Sequence, residues 1–169
     1  MNEVEERLRN GKTPQIEIRP MEIDDLASVF HLGEKIFTTK MPNLYRTWDE
    51  YEVVDFYNTD PDLCLVAEDE KEKAIVGFLL GTTIEKNNSS WKYGHLVWLG
   101  VSPEHKGGGV GRKLVNEFRH LIQKEGVRML IVDTQADNEN ALKFFERLGF
   151  TNPEEHVYLS LNLSAGKKK

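Results

Sequence analysis

The chain has 169 residues, of which 39% are apolar and 30% are charged, and this composition suits one soluble domain with a core of its own. The net charge of −6 argues against a nucleic-acid binder, which usually carries a basic stripe. Because Cys64 is the single cysteine and no apolar run approaches the roughly 20 residues of a membrane helix, we expect a cytoplasmic protein without a disulfide, a metal site or a membrane partner.

The first half of the chain predicts one strand and two helices. Gln15–Pro20 alternates apolar and charged residues, as a half-buried strand does. Apolar residues recur at helical spacing from Leu26 to Phe37, with Asp24 as the expected cap, and a shorter helix is predicted over Asp49–Asn58. Residues 1–14 are expected to form an N-terminal extension.

The second half of the chain predicts mainly strands. Leu63–Glu85 indicates a β-hairpin around an acidic turn, and a long apolar strand follows over Lys92–Val101. The later segments are a helix from Val110 to near Gly126, a buried strand over Val127–Thr134, a helix over Asn138–Phe150 and a closing strand over His156–Leu163. This order predicts an α/β (α+β) fold in which helices flank both faces of a mixed, mostly antiparallel sheet of about six to seven strands. We expect one domain over residues 15–164 and a disordered basic tail over residues 165–169.

Glycine is concentrated between the long strand and the helix after it. The segment SPEHKGGGVGRKL, Ser102–Leu114, has four glycines in the five positions from Gly107 to Gly111. The first turn of a helix has N–H groups without an internal partner, so a bare loop there can bind phosphate oxygens, with Lys106 and Arg112 adding charge. The spacing fits neither a P-loop nor a dinucleotide fingerprint, and a flexible connector is the alternative interpretation.

The same segment resembles the acetyl-CoA signature of the GNAT N-acetyltransferases, Arg/Gln-x-x-Gly-x-Gly/Ala. Lys106, Gly109 and Gly111 stand at its three fixed positions. Lysine departs from the family's usual residue at the first position but keeps the positive charge.

A second signature of that family is Asn-x-x-Ala followed by an aromatic residue and ERLGF. It is matched by Asn138, Ala141, Phe145 and Glu146–Phe150. The opening IRPMEIDDL also looks like the family's first strand and helix, so the resemblance spans about Ile16 to Leu163. It implies the acyl-CoA N-acyltransferase fold and acetyl-CoA as the co-substrate.

By this resemblance, the glycine loop wraps the pyrophosphate of coenzyme A, and the backbone of Leu99–Val101 pairs with the pantetheine arm as another strand would. Asn138 would hydrogen-bond the arm from the opposite side. His105 and Lys143 would add phosphate contacts, unless they are solvated surface residues. The residues implied to bind the co-substrate are Leu99, Gly100, Val101, His105, Lys106, Gly107, Gly108, Gly109, Val110, Gly111, Arg112, Asn138, Ala141, Phe144 and Phe145.

Acetyl transfer to an amine requires a neutral amine, donors for the oxyanion and a leaving thiolate. For the base, Asp133 ends a predicted strand, at a place where the ribosomal-protein alanine acetyltransferases, a subgroup similar in this stretch, carry a glutamate. His95 could serve equally, since an unperturbed imidazole titrates at about 6.5. The structural alternatives are an Asp133 that caps a turn and a packed His95. Glu85 and His156 are weaker candidates.

The sequence departs from the family at the general acid. Phe145 stands where a tyrosine is usual, and Phe144 beside it has no proton to donate either. Tyr158 or Tyr93 could replace the missing phenol, although a phenol packed in the core is the other interpretation of each.

In such folds the segment between the first helices selects the acceptor, and here this segment is Thr38–Asn58. That segment mixes aromatic and acidic residues, which suit either a cleft for a cationic amine or the core face of a helix. We expect transfer of acetyl from acetyl-CoA to a primary amine, on a peptide N-terminus, a lysine or a small polyamine. The alternatives are a non-catalytic acyl-CoA-binding or sensing module and a binder of ATP or a dinucleotide. A homodimer paired through His156–Leu163 is compatible with this fold.

Overall fold

The computed structural model describes residues 15–37, 47–85 and 90–157, together with Leu159, Leu161 and Leu163. Its helices and strands are, in chain order, β1 (Ile16–Pro20), α1 (Leu26–Ile36), α2 (Glu50–Thr59), β2 (Cys64–Asp69), β3 (Ala74–Glu85), β4 (Lys92–Val101), α3 (Val110–Lys124), β5 (Met129–Val132) and α4 (Glu139–Arg147). The chain divides into two compact units, one up to Asp133 and one from Thr134. None of the described helices is long and apolar enough to cross a membrane. The predicted extension and basic tail lie outside the described residues.

The first unit is built on a five-stranded sheet in the order β1-β2-β3-β4-β5. The first four strands are antiparallel neighbours, and β5 joins β4 in parallel. This confirms the predicted mixed, mostly antiparallel fold, with five strands in the described part instead of six or seven. Of the predicted closing strand, the described residues, Leu159 and Leu161 among them, are not in a strand, and Tyr158, Ser160 and Asn162 lie outside the described part.

Alternation along β3 gives the sheet two apolar faces. Phe78 and Leu80 lie in one buried cluster with residues of α1 and α2 and with Trp98 of β4. On the opposite face α3 packs so closely that a Cβ added to Gly81 would lie 2.4 Å from the ring of Phe118. Helices therefore cover both faces of the sheet, as predicted.

Strand β4 is longer than its parallel partner. The β4–β5 ladder runs from Tyr93, opposite Met129, to Leu96, opposite Val132, whereas β4 continues along β3 as far as Val101. The β3–β4 register shifts at the same level, which marks a β-bulge and a change in the direction of the strand. The pairing of β4 with β5 therefore ends at Leu96, where β5 itself ends.

The burial predicted for the fifth strand is wrong. Met129 is 46% exposed and Ile131 is 37% exposed. In the described part of the chain, β5 has a strand neighbour on the β4 side only, so its apolar sequence is not enclosed as a central strand would be.

The N-cap residue of α1 is Asp25 and not the predicted Asp24, and the side chain of Asp25 bonds the residues just before the helix. The Asp25 carboxylate accepts a hydrogen bond from the N–H of Glu22 (2.8 Å), and its Oδ2 atom lies 2.7 Å from Nη1 of Arg19. Burial alone would raise the pKa of this carboxyl, but the bonds from Arg19 and Glu22 outweigh it and hold the pKa below its ordinary value. Asp24 is exposed.

We expect Asp25→Asn to lower the free energy of unfolding by roughly 1–3 kcal/mol, because the Arg19 guanidinium loses a charged acceptor. The folded-state pKa of Asp25 is lowered, so its contribution is present above the unfolded-state pKa of about 3.9 and is lost as the pH falls through the folded-state value. Urea unfolding at neutral and at strongly acidic pH measures both effects. Asp24→Asn makes the same charge change at an exposed neighbour and should alter stability by less than about 0.5 kcal/mol. Equal destabilisation by the two substitutions would contradict this assignment.

Candidate active site

The connection from β4 to α3 is a short 3₁₀ turn followed by the glycine loop. The turn, Pro103–His105, follows Ser102, whose N–H donates to the carbonyl of Val76 in β3 (2.8 Å). Gly107 and Gly109 have φ angles of +83° and +80°, a left-handed conformation that favours glycine. Gly109 is also the N-cap of α3, with no side chain to bond the first-turn amides. The path of the backbone therefore requires two of the glycines in the first signature segment.

The first turn of α3 has three amides without a partner inside the helix, next to this loop. The first backbone hydrogen bond of the helix runs from the N–H of Lys113 to the carbonyl of Gly109 (3.0 Å). The N–H groups of Val110, Gly111 and Arg112 come before this bond, so the helix itself offers them no carbonyl. Lys106 and Arg112 are exposed and form no ion pair with any described residue. The Arg112 Nη2 atom lies 3.4 Å from the position of a Cβ on Gly109, so the guanidinium lies against the loop. Amide donors and positive charge thus converge at one place.

His105 ties the loop to the turn between β2 and β3. Its Nε2 atom lies 3.7 Å from Oδ2 of the buried Asp69, and its Nδ1 atom lies 3.3 Å from Oγ of Ser102. Burial would raise the pKa of the Asp69 carboxyl, but the N–H groups of Glu72 and Lys71 and the charge of His105 hold it below its ordinary value. Both ring nitrogens of His105 therefore have partners within the protein, and its predicted phosphate contact stays a prediction.

His95 and Asp133, which the sequence offers as alternative bases, are in contact. Nε2 of His95 lies 2.9 Å from Oδ1 of Asp133, and the two side chains are 21% and 37% exposed. The register explains the contact: His95 pairs with Ile131 in β5, and Asp133 follows two residues later on the same face. An imidazole and a carboxylate in this arrangement can accept a proton together.

Other polar and aromatic groups lie beside His95 on the same face of the sheet. Thr82 of β3 stands directly opposite His95, and its hydroxyl donates a hydrogen bond to the carboxylate of Asp60, at the end of α2. Tyr93 precedes His95 by two residues, and its ring stacks on Trp91 with centroids 6.4 Å apart. The sequence alone does not point to Thr82 or Asp60. A threonine in an apolar strand is a weak signal, and Asp60 looks like an ordinary helix-ending residue.

The second signature forms the start of α4 in the second unit. Oδ1 of Asn138 accepts a hydrogen bond from the N–H of Ala141 (3.2 Å), so the Asn-x-x-Ala spacing is that of a helix cap. Phe145 is buried, and its ring packs against the rings of Phe144 and Phe150, with centroids 5.1 and 5.3 Å away. These contacts are structural, and the predicted contacts of Asn138, Ala141 and the two phenylalanines with coenzyme A stay predictions.

Some other candidate residues have less support from the geometry. Lys143 is exposed and ion-paired with Glu139 (3.1 Å), which favours its interpretation as a surface residue. Glu85 is ion-paired with Lys92 (3.2 Å). Tyr158 lies outside the described residues, so its assignment as an acid stays a prediction.

The aromatic residues near α2 belong mainly to the core. Trp48, Phe56 and Tyr57 pack against the buried cluster of the first unit, whereas Tyr51 is 70% exposed. Tyr45 lies outside the described residues. The core interpretation is therefore confirmed for three of these five side chains.

The family of the chain follows from its sequence profile. The profile of the Acetyltransferase (GNAT) family matches residues 33–150, which is more than half of the chain. The matched region contains β4, the glycine loop, the His95–Asp133 pair and α4. The chain belongs to the GNAT acetyltransferase family.

Individual relatives agree with this assignment. The chain is 27% identical over 150 residues to acetyltransferase SG1711 of Sodalis glossinidius (strain morsitans), with 88% of this chain and 96% of that protein covered. It is similar to a chain of the NatC complex bound to Gag peptide and CoA, with a TM-score of 0.70, 22% identity, and 83% and 87% of the two chains covered. An aminoglycoside acetyltransferase from an uncultured soil metagenomic sample, solved with sisomicin, has a TM-score of 0.69 at 21% identity, with 88% and 96% covered. At such identities, the two structures show a shared fold.

Proposed function

We propose that the chain transfers the acetyl group of acetyl-CoA to a primary amine, with the His95–Asp133 pair accepting the proton of the amine. The contact between His95 and Asp133 carries this proposal. It lies at the level where the β4–β5 ladder stops, after Leu96, so the imidazole and the carboxylate stand where β4 loses its parallel partner. The glycine loop follows the other end of the same strand.

The loop fits a diphosphate. Gly107 and Gly109 leave the backbone bare, the N–H of Val110 begins α3, and the Arg112 guanidinium lies alongside, which together supply donors and positive charge. Leu99–Val101 has a strand neighbour on the β3 side only within the described residues, so its other edge suits pairing with the pantetheine arm. Acetyl-CoA, when bound, supplies an activated acetyl thioester.

The His95–Asp133 pair prepares the amine. With Nε2–H donating to Asp133, Nδ1 of His95 is the nitrogen that takes a proton from the acceptor. Asp133 fixes the orientation of the ring and stabilises the imidazolium that forms. The neutral amine then forms the new N–C bond as the C–S bond breaks, and the proton that the nitrogen loses goes to the leaving thiolate, so that the products are the amide and the thiol.

The second signature supplies no general acid for the leaving thiolate, because Phe145 stands at that position and has no phenol. Tyr93 lies on the face of β4 that carries His95, and Tyr158 remains the other candidate for the acid. A thiol with an ordinary pKa of about 8.5 also leaves as the thiolate without a dedicated acid. Weak acid assistance therefore lowers the rate without abolishing the reaction.

The acceptor is proposed to be an amine of a peptide or a small molecule. The NatC complex was solved with a Gag peptide and the metagenomic enzyme with sisomicin, so proteins of this fold bind ligands of both kinds. We also place the reaction in the cytoplasm, since a single, buried thiol at Cys64 suits a reducing compartment.

Gly107→Ala is expected to weaken CoA binding by about tenfold or more, because the added methyl group would occupy open space beside the loop, where phosphate oxygens are proposed to approach. Gly126→Ala is the matched control: Gly126 has a similar φ of +79° and equally open surroundings, but lies beyond the far end of α3. Both variants should lose about 1 kcal/mol of unfolding free energy from backbone strain. Titration calorimetry with CoA measures the difference.

Native CoA affinity in correctly folded Gly107→Ala and Gly109→Ala would contradict the proposed carrier site. Tighter binding of ATP or NAD than of CoA would instead favour the nucleotide-binding alternative.

Asp133→Asn and His95→Gln should each lower acetyl transfer by roughly 10²–10⁴-fold at neutral pH, since each removes part of the base. The double variant should be little slower than the slower single variant, because the two groups act as a unit. Free-thiol release from acetyl-CoA, with a panel of peptides, polyamines and amino compounds as acceptors, measures the rates. Glu85→Gln, at the ion-paired end of β3, is the control and should retain the full rate.

Full activity of both dyad variants would exclude the pair as the proton acceptor. CoA binding without thiol release on any acceptor would favour the non-catalytic acyl-CoA-binding module.

A further inference from the structure

Asp60 is placed next to the proposed reaction centre by the sheet register. The carboxylate of Asp60 accepts a hydrogen bond from the hydroxyl of Thr82, and Thr82 stands opposite His95. Directly opposed residues of antiparallel strands have Cβ atoms about 4.5–5.5 Å apart. Asp60, Thr82, His95 and Asp133 thus form a row on one face of the sheet, with a carboxylate at each end.

The Asp60 carboxylate differs from the other enclosed aspartates in that no cationic side chain of the described residues is paired with it. Asp25 is paired with Arg19, and Asp69 with His105. Asp60 is partly buried, and within the described residues its side chain is bonded only to the neutral hydroxyl of Thr82.

The charge of Asp60 acts on its surroundings. It adds to the effect of burial, the larger cause, in raising the pKa of the Cys64 thiol to about 12. Among the described residues, the carboxylate of Asp60 is hydrogen-bonded only by the neutral hydroxyl of Thr82 and is partly exposed. A negative charge in this position suits an incoming cation.

The amine that reacts is not the group expected to pair with the negative charge of Asp60. That amine must be neutral to attack, and His95 with Asp133 is arranged to take its proton. A positive charge beside Asp60 therefore belongs to another group of the same acceptor, one that stays protonated throughout the reaction.

We propose that Asp60 binds a second cationic group of the acceptor, oriented by Thr82, so that the acceptor class is a diamine or a longer polyamine whose other amine reacts at His95. The assignment of which amine reacts rests on the proposed acetyl transfer. The proposed ion pair at Asp60 does not depend on acetyl transfer.

The test compares 1,4-diaminobutane with 4-amino-1-butanol, which replaces one amine by a hydroxyl at the same chain length. Binding to the full chain is measured by titration calorimetry with CoA present, so that no turnover is required. The diamine should bind about tenfold more tightly than the amino alcohol. Asp60→Asn keeps an acceptor for the Thr82 hydroxyl and should abolish this preference.

Two further variants separate the charge of Asp60 from its structural role. Asp62→Asn removes the same charge from an exposed residue two positions later and should keep the full preference. Thr82→Val leaves the charge but removes the donor that orients it, so the preference should shrink without vanishing. The melting temperatures of all variants show that they are folded.

Equal binding of the two amines to the unmodified chain would overturn the proposal, as would binding of neither. An undiminished preference in Asp60→Asn would do the same. If the preference depends on Asp60 but thiol release is absent with the diamine and with every other acceptor, the acetyl transfer proposed above fails and the cation site stands.

Discussion

The short parallel ladder between β4 and β5 is the constraint on which the proposed site depends. Over four residue pairs it sets His95 beside the end of β5, where Asp133 follows, and it then stops while β4 continues along β3. A longer ladder would keep the two side chains together but would close the edge of Leu99–Val101. A shorter ladder would leave that edge open but would not align the imidazole with the carboxylate. One register thus joins a proton-accepting pair to an unpaired stretch of backbone that leads to the glycine loop.

The loop at the end of β4 needs bare backbone and firm anchoring at the same time. Ordering consecutive glycines is entropically costly, and left-handed φ angles at Gly107 and Gly109 exclude most other residues. The Ser102 N–H bond to β3 and the contact of His105 with Asp69 fix the residues just before the glycines. The anchoring thus comes from groups outside the glycine run, which leaves the run itself free of side chains where phosphate oxygens would approach.

Local signals predicted most of the fold, and long-range contacts account for most of what they missed. The hairpin and the glycine loop before a helix both depend on neighbouring residues, and the structure has them where the sequence placed them. The His95–Asp133 contact joins residues 38 positions apart, and the bond from Thr82 to Asp60 joins residues 22 apart. Each needs a strand register that no local pattern encodes, so the sequence offered His95 and Asp133 as alternatives where the structure makes them partners. Asp25 shows the same limit, because Arg19, in another element, decides which aspartate holds the start of α1.

The interactions at the glycine loop and at Asp60 differ in number and strength, and this difference indicates how selective the chain would be for each of its two proposed substrates. Several amide donors and cations converge on the glycine loop, and hydrogen bonds with a charged partner contribute about 1.5–3 kcal/mol each, so the proposed carrier site would bind its ligand strongly. A single partly exposed carboxylate at Asp60 offers one such interaction, worth about tenfold in affinity at about 1.4 kcal/mol. The acidic net charge of the chain adds only a weak attraction that salt screens. With both proposed sites in place, the chain would select coenzyme A closely and its amine acceptor loosely, so a change at one carboxylate on the acceptor side would alter the preferred amine without disturbing the carrier site.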